Sequence, residues 1–112
     1  MKNRWVIPDI HGCLKTLKYL IENRINLSKD DSLYFLGDYI DRGKDSKGVI
    51  DYIISLQDSG YKIHCIRGNH EDYCIKAWEA DQKRFLFRSK IEKEWRKNGA
   101  NRTLQSFDAK RP

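Results

Sequence analysis

The chain has 112 residues, 39% hydrophobic and 34% charged, with a formal net charge of +6. That length holds one domain and one core, so residues 1–112 are read as a single, partial domain. No stretch approaches the roughly 20 apolar residues that cross a bilayer, and no membrane partner is expected. The first residues, Met1-Lys2-Asn3-Arg4-Trp5, lack the apolar region of a signal peptide, which makes cytoplasmic residence the default expectation. Cys13, Cys65 and Cys74 form no C-x-x-C pair. Neither a disulfide framework nor a zinc finger is indicated, and reduced, mostly packed thiols are expected.

In chain order, Arg4-Trp5-Val6-Ile7 forms a strand candidate ended by Pro8, which has no N–H for a ladder. From Cys13 to Asn23, Leu14, Leu17, Leu20 and Ile21 recur at helical spacing. Asp30-Asp31-Ser32 is turn material, and Leu33-Tyr34-Phe35-Leu36 is a buried strand candidate ending at Gly37. Ser46 can cap a helix that turns Val49, Ile50, Ile53, Ile54 and Leu56 inward and stops at Ser59-Gly60. Lys62 to Ile66 is the third strand candidate, with His64 read as a packed histidine.

Tyr73 to Glu79 has a helical pattern, and Phe87, Ile91 and Trp95 stand four residues apart as one buried stripe. Asn98-Gly99-Ala100-Asn101 breaks that helix, and Asp108 to Pro112 is a frayed end. The excess of positive charge gathers late, in Lys83, Arg84, Arg88, Lys90, Lys93, Arg96, Lys97, Arg102, Lys110 and Arg111. Glu92 stands one helical turn from Arg96, so a solvated helix face is favoured over a nucleic-acid surface. The order β-α-β-α-β predicts an α/β fold, a parallel sheet followed by a helical carboxyl-terminal part.

Three polar clusters fall at the carboxyl ends of the three strands, where open α/β sheets bind ligands. They are Asp9-Ile10-His11-Gly12, Gly37-Asp38-Tyr39-Ile40-Asp41-Arg42-Gly43 and Arg67-Gly68-Asn69-His70-Glu71-Asp72. Asp9 and His11 are two residues apart, and on extended backbone they share one side. A carboxylate with an imidazole suits manganese, iron or zinc. Gly37 allows a sharp turn that carries Asp38 to the edge, and its two oxygens can bridge a pair of ions. Arg42 offers a planar fork to phosphate oxygens. Asn69 adds a neutral oxygen ligand, and His70, alternating to the other side, is placed to exchange protons with a leaving group. Arg67 can face the phosphate or brace the loop.

These clusters resemble those of the calcineurin-like metallophosphoesterases. The GD-x-x-DRG and RGNHE forms look like the phosphoprotein phosphatase branch, which includes bacterial serine/threonine phosphatases and symmetrical diadenosine tetraphosphatases. Trp95…Asn98-Gly99-Ala100…Thr103-Leu104-Gln105-Ser106-Phe107 resembles a further stretch of bacterial members. The resemblance implies that Asp9, His11 and Asp38 hold a first metal, and that Asp38 and Asn69 contribute to a second. It further implies His70 as general acid, Asp41 as the carboxylate orienting it, and Arg42 as a phosphate ligand. Hydrolysis would proceed by metal-activated hydroxide without a phosphoenzyme.

The chain departs from that family in two ways. Pro8 stands where glycine is usual, which alters loop shape. Two downstream histidines that complete the second metal site, and a further arginine, have no counterpart, since the only histidines are His11, His64 and His70. The expectation is therefore the amino-terminal half of a metallophosphatase sandwich, holding one of the two ions and turning over phosphomonoesters poorly by itself. A complementing carboxyl-terminal half or self-association is the expected partner. The substrate is expected to be a phosphoserine or phosphothreonine protein, with dinucleoside polyphosphate hydrolysis as the alternative. A non-catalytic phosphate- or nucleic-acid-binding module is a further alternative.

Overall fold

Three short runs rich in β-branched and aromatic residues become strands, and the segments between them wind back as helices. The structure, a computed structural model, describes residues 2–83 and 90–110. Strands β1 (Arg4–Ile7), β2 (Ser32–Phe35) and β3 (Lys62–Cys65) form a parallel sheet in the order β1-β2-β3. The parallel α/β arrangement expected of the sequence is what the chain adopts. Helix α1 (Leu14–Tyr19), continued by a π-helical turn at Leu20–Ile25, joins the first two strands, and α2 (Ser46–Asp58) joins the next two. Helices α3 (Asn69–Lys83), α4 (Lys90–Lys97) and α5 (Ala100–Ser106) follow.

One face of the sheet carries the core. Ile7, Leu33 and Phe35 point to it and are buried with Leu17 and Ile21 and with Val49 and Ile53 of α2. Period-two alternation sends Val6, Tyr34 and His64 to the other face, in register across the three strands, where all three are exposed. His64 is thus not a packed core histidine. Its ring instead stacks on Tyr34 with centroids 4.6 Å apart. Trp95, Ala100 and Leu104 extend the core beneath the strand ends, where α5 packs on α2 and α4.

Several local expectations are corrected. Asp45, not Ser46, caps α2, accepting from the Gly48 N–H at 2.8 Å. Ile54 is exposed rather than inward. Helix α3 begins at Asn69, four residues before the expected start, so the third polar cluster is largely a helical first turn. Glu92 is fully buried beside Trp95, so its 2.9 Å ion pair with Arg96 does not belong to a solvated face. Phe87, Arg84, Arg88, Arg111 and Pro112 lie outside the described residues. Cys13 and Cys65 are exposed and only Cys74 is partly buried, which overturns the packed-thiol expectation.

Gly37 sits at the strand end with φ +100, and a Cβ there would lie 2.4 Å from the Gly68 nitrogen. The loops after β2 and β3 therefore touch backbone to backbone. Gly37→Ala combines a strained φ with overlap and is expected to destabilise the protein by about 3 kcal/mol or more, read from denaturant unfolding. The thiols give a second check. Burial pushes the Cys74 thiol up to about 11, leaving roughly one thiolate in a thousand at pH 8. Cys13 and Cys65 should react promptly with a thiol reagent at that pH, and Cys74 only on unfolding or as the pH approaches its own pKa.

Candidate active site

The loop leaving β1 turns back under the loop leaving β2. The N–H groups of Ile10 and His11 both donate to the Asp38 carbonyl, at 3.0 and 2.9 Å, and Gly12 N–H donates to the Tyr39 carbonyl at 2.8 Å. His11 has φ +46 and Asp38 φ +55, so neither is on extended backbone. Asp9 and His11 are brought together by this left-handed turn rather than by strand alternation, with His11 Nε2 3.6 Å from Asp9 Oδ2. One ligand atom each from Asp9, His11 and Asp38 lie within 4.8 Å of one another. The His11 Nδ1 is 2.8 Å from the Ile40 carbonyl. A carbonyl only accepts, so Nδ1 is a donor here and Nε2 is the ring nitrogen turned to the carboxylate. Two carboxylates and an oriented imidazole fit a divalent transition ion.

Asp38 is held from two directions. Its Oδ1 accepts the His70 N–H at 2.9 Å, which satisfies one of the orphan donors at the start of α3. Its own N–H donates to Glu71 at 2.5 Å. Glu71 also accepts from the N–H groups of Tyr39 at 2.8 Å, Ile40 at 3.4 Å and Gly68 at 2.9 Å. The Gly68 bond is half of a capping box at the start of α3. The other three come from the loop after β2, so one carboxylate pins that loop to the loop after β3. Tyr39 closes the same junction, donating its hydroxyl to the Ile66 carbonyl at 2.8 Å. Burial, ahead of neighbouring Cys65 and Glu71, holds its phenol protonated far above the usual range.

Asp41 and His70 form a buried pair, with His70 Nδ1 2.7 Å from Asp41 Oδ2. His70 is not outward-facing as strand alternation predicts. It lies in the first helical turn, almost wholly buried, with its ring edge-on to His11 at 4.6 Å. Asp41 accepts the Trp95 indole N–H at 2.6 Å on the same oxygen and the Thr103 hydroxyl at 2.5 Å on the other. Its N–H is in turn accepted by Thr103 Oγ1 at 2.8 Å and Ser46 Oγ at 3.1 Å. Charge-assisted bonds of this number compensate the burial of a carboxylate.

Asn69 stands exposed at the start of α3, lining an open cavity with Arg67 and Tyr73. Arg67 is ion-paired with Asp72, which also takes Lys76 at 2.8 Å. The Lys76 and Arg67 hydrogen bonds lower the Asp72 carboxyl below the usual range. Arg67 therefore braces the loop while remaining half exposed. Arg42 has φ +69 and projects an exposed side chain, its N–H bonded to the Gly99 carbonyl at 3.2 Å.

The family resemblance implied that Asp9, His11 and Asp38 act together and Asp41 with His70, and in the structure the members of each set are neighbours. Sequence reasoning missed Glu71, Ser46, Trp95 and Thr103 as supports. A glutamate at the fourth position from Gly68 was a readable capping signal, whereas the long-range bonds were not.

The family model described as Calcineurin-like phosphoesterase matches residues 3–109 of the chain. Among curated relatives, the protein named "Bis(5'-nucleosyl)-tetraphosphatase, symmetrical" of Pseudomonas entomophila (strain L48) is 34% identical over 74 residues, 66% of this chain and 25% of the relative. The protein of that name from Buchnera aphidicola subsp. Schizaphis graminum (strain Sg) is 42% identical over 67 residues, 60% of this chain and 23% of the relative. The matches thus span about a quarter of these relatives' length.

Glu71→Gln keeps the volume but loses the charge and half of the acceptors. It is expected to weaken manganese binding at the Asp9–His11–Asp38 edge by roughly tenfold, measured by titration against the free ion's paramagnetic resonance signal. Amide exchange should accelerate at Asp38, Tyr39 and Gly68 in the same variant while β2 remains protected.

Proposed function

The chain belongs to the calcineurin-like phosphoesterase family of phosphoric ester hydrolases, and from that premise we propose that it acts in metal-dependent hydrolysis of dinucleoside polyphosphates. The observation that carries the hydrolytic part is the adjacency of two sets on one edge: the Asp9–His11–Asp38 ligands and the buried Asp41–His70 pair. The names of the relatives support the dinucleoside substrate over the phosphoserine or phosphothreonine reading.

Asp9, His11 and Asp38 would hold a divalent ion, and Asn69 would contribute with Asp38 to a second. Bound there, such ions polarise a phosphoryl group and acidify water. The chain's own groups supply the rest. Asp41 fixes His70 through Nδ1, which leaves Nε2 to deliver a proton to the departing oxygen. The charged ring that holds this proton is balanced by Asp41, whose carboxylate Trp95 and Thr103 keep in place. Arg42 offers its guanidinium to phosphate oxygens. No step requires a covalent enzyme intermediate.

Assays with manganese on diadenosine tetraphosphate, a phosphoserine peptide and p-nitrophenyl phosphate check the reading. The diadenosine compound is expected to be cleaved fastest. His70→Asn should lower the rate by about a hundredfold or more without changing ion affinity, and Asp9→Asn should lower both. Faster turnover of the phosphopeptide would replace the dinucleoside reading with the protein phosphatase one.

A further inference from the structure

A groove of about 720 Å³ is lined by Gly12 and Gly43, the first of them next to His11 in the chain. Gly12 and Gly43 meet there backbone to backbone: a Cβ on Gly12 would lie 3.0 Å from Gly43, and one on Gly43 2.0 Å from the His11 carbonyl oxygen. Its walls carry Lys15 from the start of α1, Arg42 and Lys44 from the loop before α2, and Arg102 from α5. The Gly99 carbonyl accepts from both the Arg42 and Arg102 N–H groups, at 3.2 and 3.3 Å, which ties the two arginine positions to one turn. The single acidic residue of the lining, Asp45, spends its Oδ1 on the α2 cap.

Among the described residues none of these four cations has an ion pair, while Lys47, Arg67, Lys76 and Arg96 each have one. Four unpaired cations on one concave surface repel one another, and the groove favours a ligand that supplies several negative charges in line. A single phosphate at the metal edge would engage Arg42 and leave Lys15, Lys44 and Arg102 unused. We propose that this groove is a subsite for a chain of linked phosphates, with Lys15, Lys44 and Arg102 holding the phosphates beyond the one that reacts. The assignment rests on the proposed phosphoesterase reading for its reacting end, and it names residues that would select polyphosphate esters over monoesters.

Isothermal titration of the metal-free protein at low ionic strength with tripolyphosphate and with orthophosphate tests the subsite directly. Tripolyphosphate should bind at least tenfold tighter. The double variant Lys15→Ala/Lys44→Ala, its fold checked by circular dichroism, should lose roughly tenfold for tripolyphosphate with orthophosphate unchanged, and Lys44→Arg should retain binding. Stronger binding of diadenosine tetraphosphate than tripolyphosphate would place the phosphate chain in a dinucleotide, and equal binding in inorganic polyphosphate. Equal affinity for tripolyphosphate and orthophosphate, insensitivity to the lysine variants, or tighter binding of a single-stranded oligonucleotide would each overturn the subsite. Manganese titration separates the two ideas. Loss of ion binding with tripolyphosphate retained sinks the phosphoesterase reading alone, and the reverse sinks the groove alone.

Discussion

The carboxylate of Asp41 is the charge around which this chain is organised. It is fully buried, and an isolated carboxylate in that position would cost several kcal/mol. His70, Trp95 and Thr103 each place a hydrogen-bonding group on it, from α3, α4 and α5 respectively. The compensation therefore exists only when all three carboxyl-terminal helices are docked beneath the strand ends. The fold and the Asp41–His70 pair are not separable here: the same bonds that make burial of Asp41 tolerable also fix the His70 ring.

A second constraint sets the edge that carries Asp9, His11 and Asp38. His11, Asp38, Asp41 and Arg42 all have left-handed backbone, a conformation that non-glycine residues adopt at a cost. Such a cluster persists only if its surroundings over-determine it. Glu71 does so by accepting from the loop after β2, and the Asp38 side chain returns the favour by capping α3. Glycines at 12, 37, 43 and 68 let the backbones meet closely enough for these bonds to form. Asp9, His11 and Asp38 are thus carried on loops, yet loops whose backbone is held by many hydrogen bonds.

The sequence shows the strands and the site chemistry because both leave local marks. β-Branched runs located all three strands, with Arg4–Ile7 matched residue for residue and β2 offset by one. The pairing of Asp9, His11 and Asp38 was legible because all three lie where parallel strands end. Helix α3 was placed late because its first turn, Asn69 to Asp72, has little apolar pattern and its cap comes from Asp38, 32 residues from the bonded His70 N–H. The helical pattern assigned Trp95 to a buried stripe and Glu92 to a solvated face, but the two stand three residues apart on one helix, and burying Trp95 took Glu92 with it. Trp95 and Thr103 were visible as motif residues, but their bonds to Asp41 span 54 and 62 positions. No local pattern encodes contacts of that range.

The loop from Gly37 to Gly43 divides its labour by residue. Asp38, partly exposed, stands with Asp9 and His11; Asp41, three positions on and sealed from water, faces His70. Burial separates what two otherwise identical carboxylates can do, since one has a free edge for a ligand and the other has every oxygen engaged by donors. The rings of His11 and His70, edge-on at 4.6 Å, link the two halves, so that a shift of either loop moves both the Asp9–His11–Asp38 group and the Asp41–His70 pair. Arg42 then follows Asp41 on left-handed backbone, which turns the chain outward and delivers its guanidinium to the groove that begins at Gly43. Asp38, the buried anchor Asp41 and the outward Arg42 are therefore set by successive turns of one short loop, and the glycines at its ends are what allow it to fold so tightly.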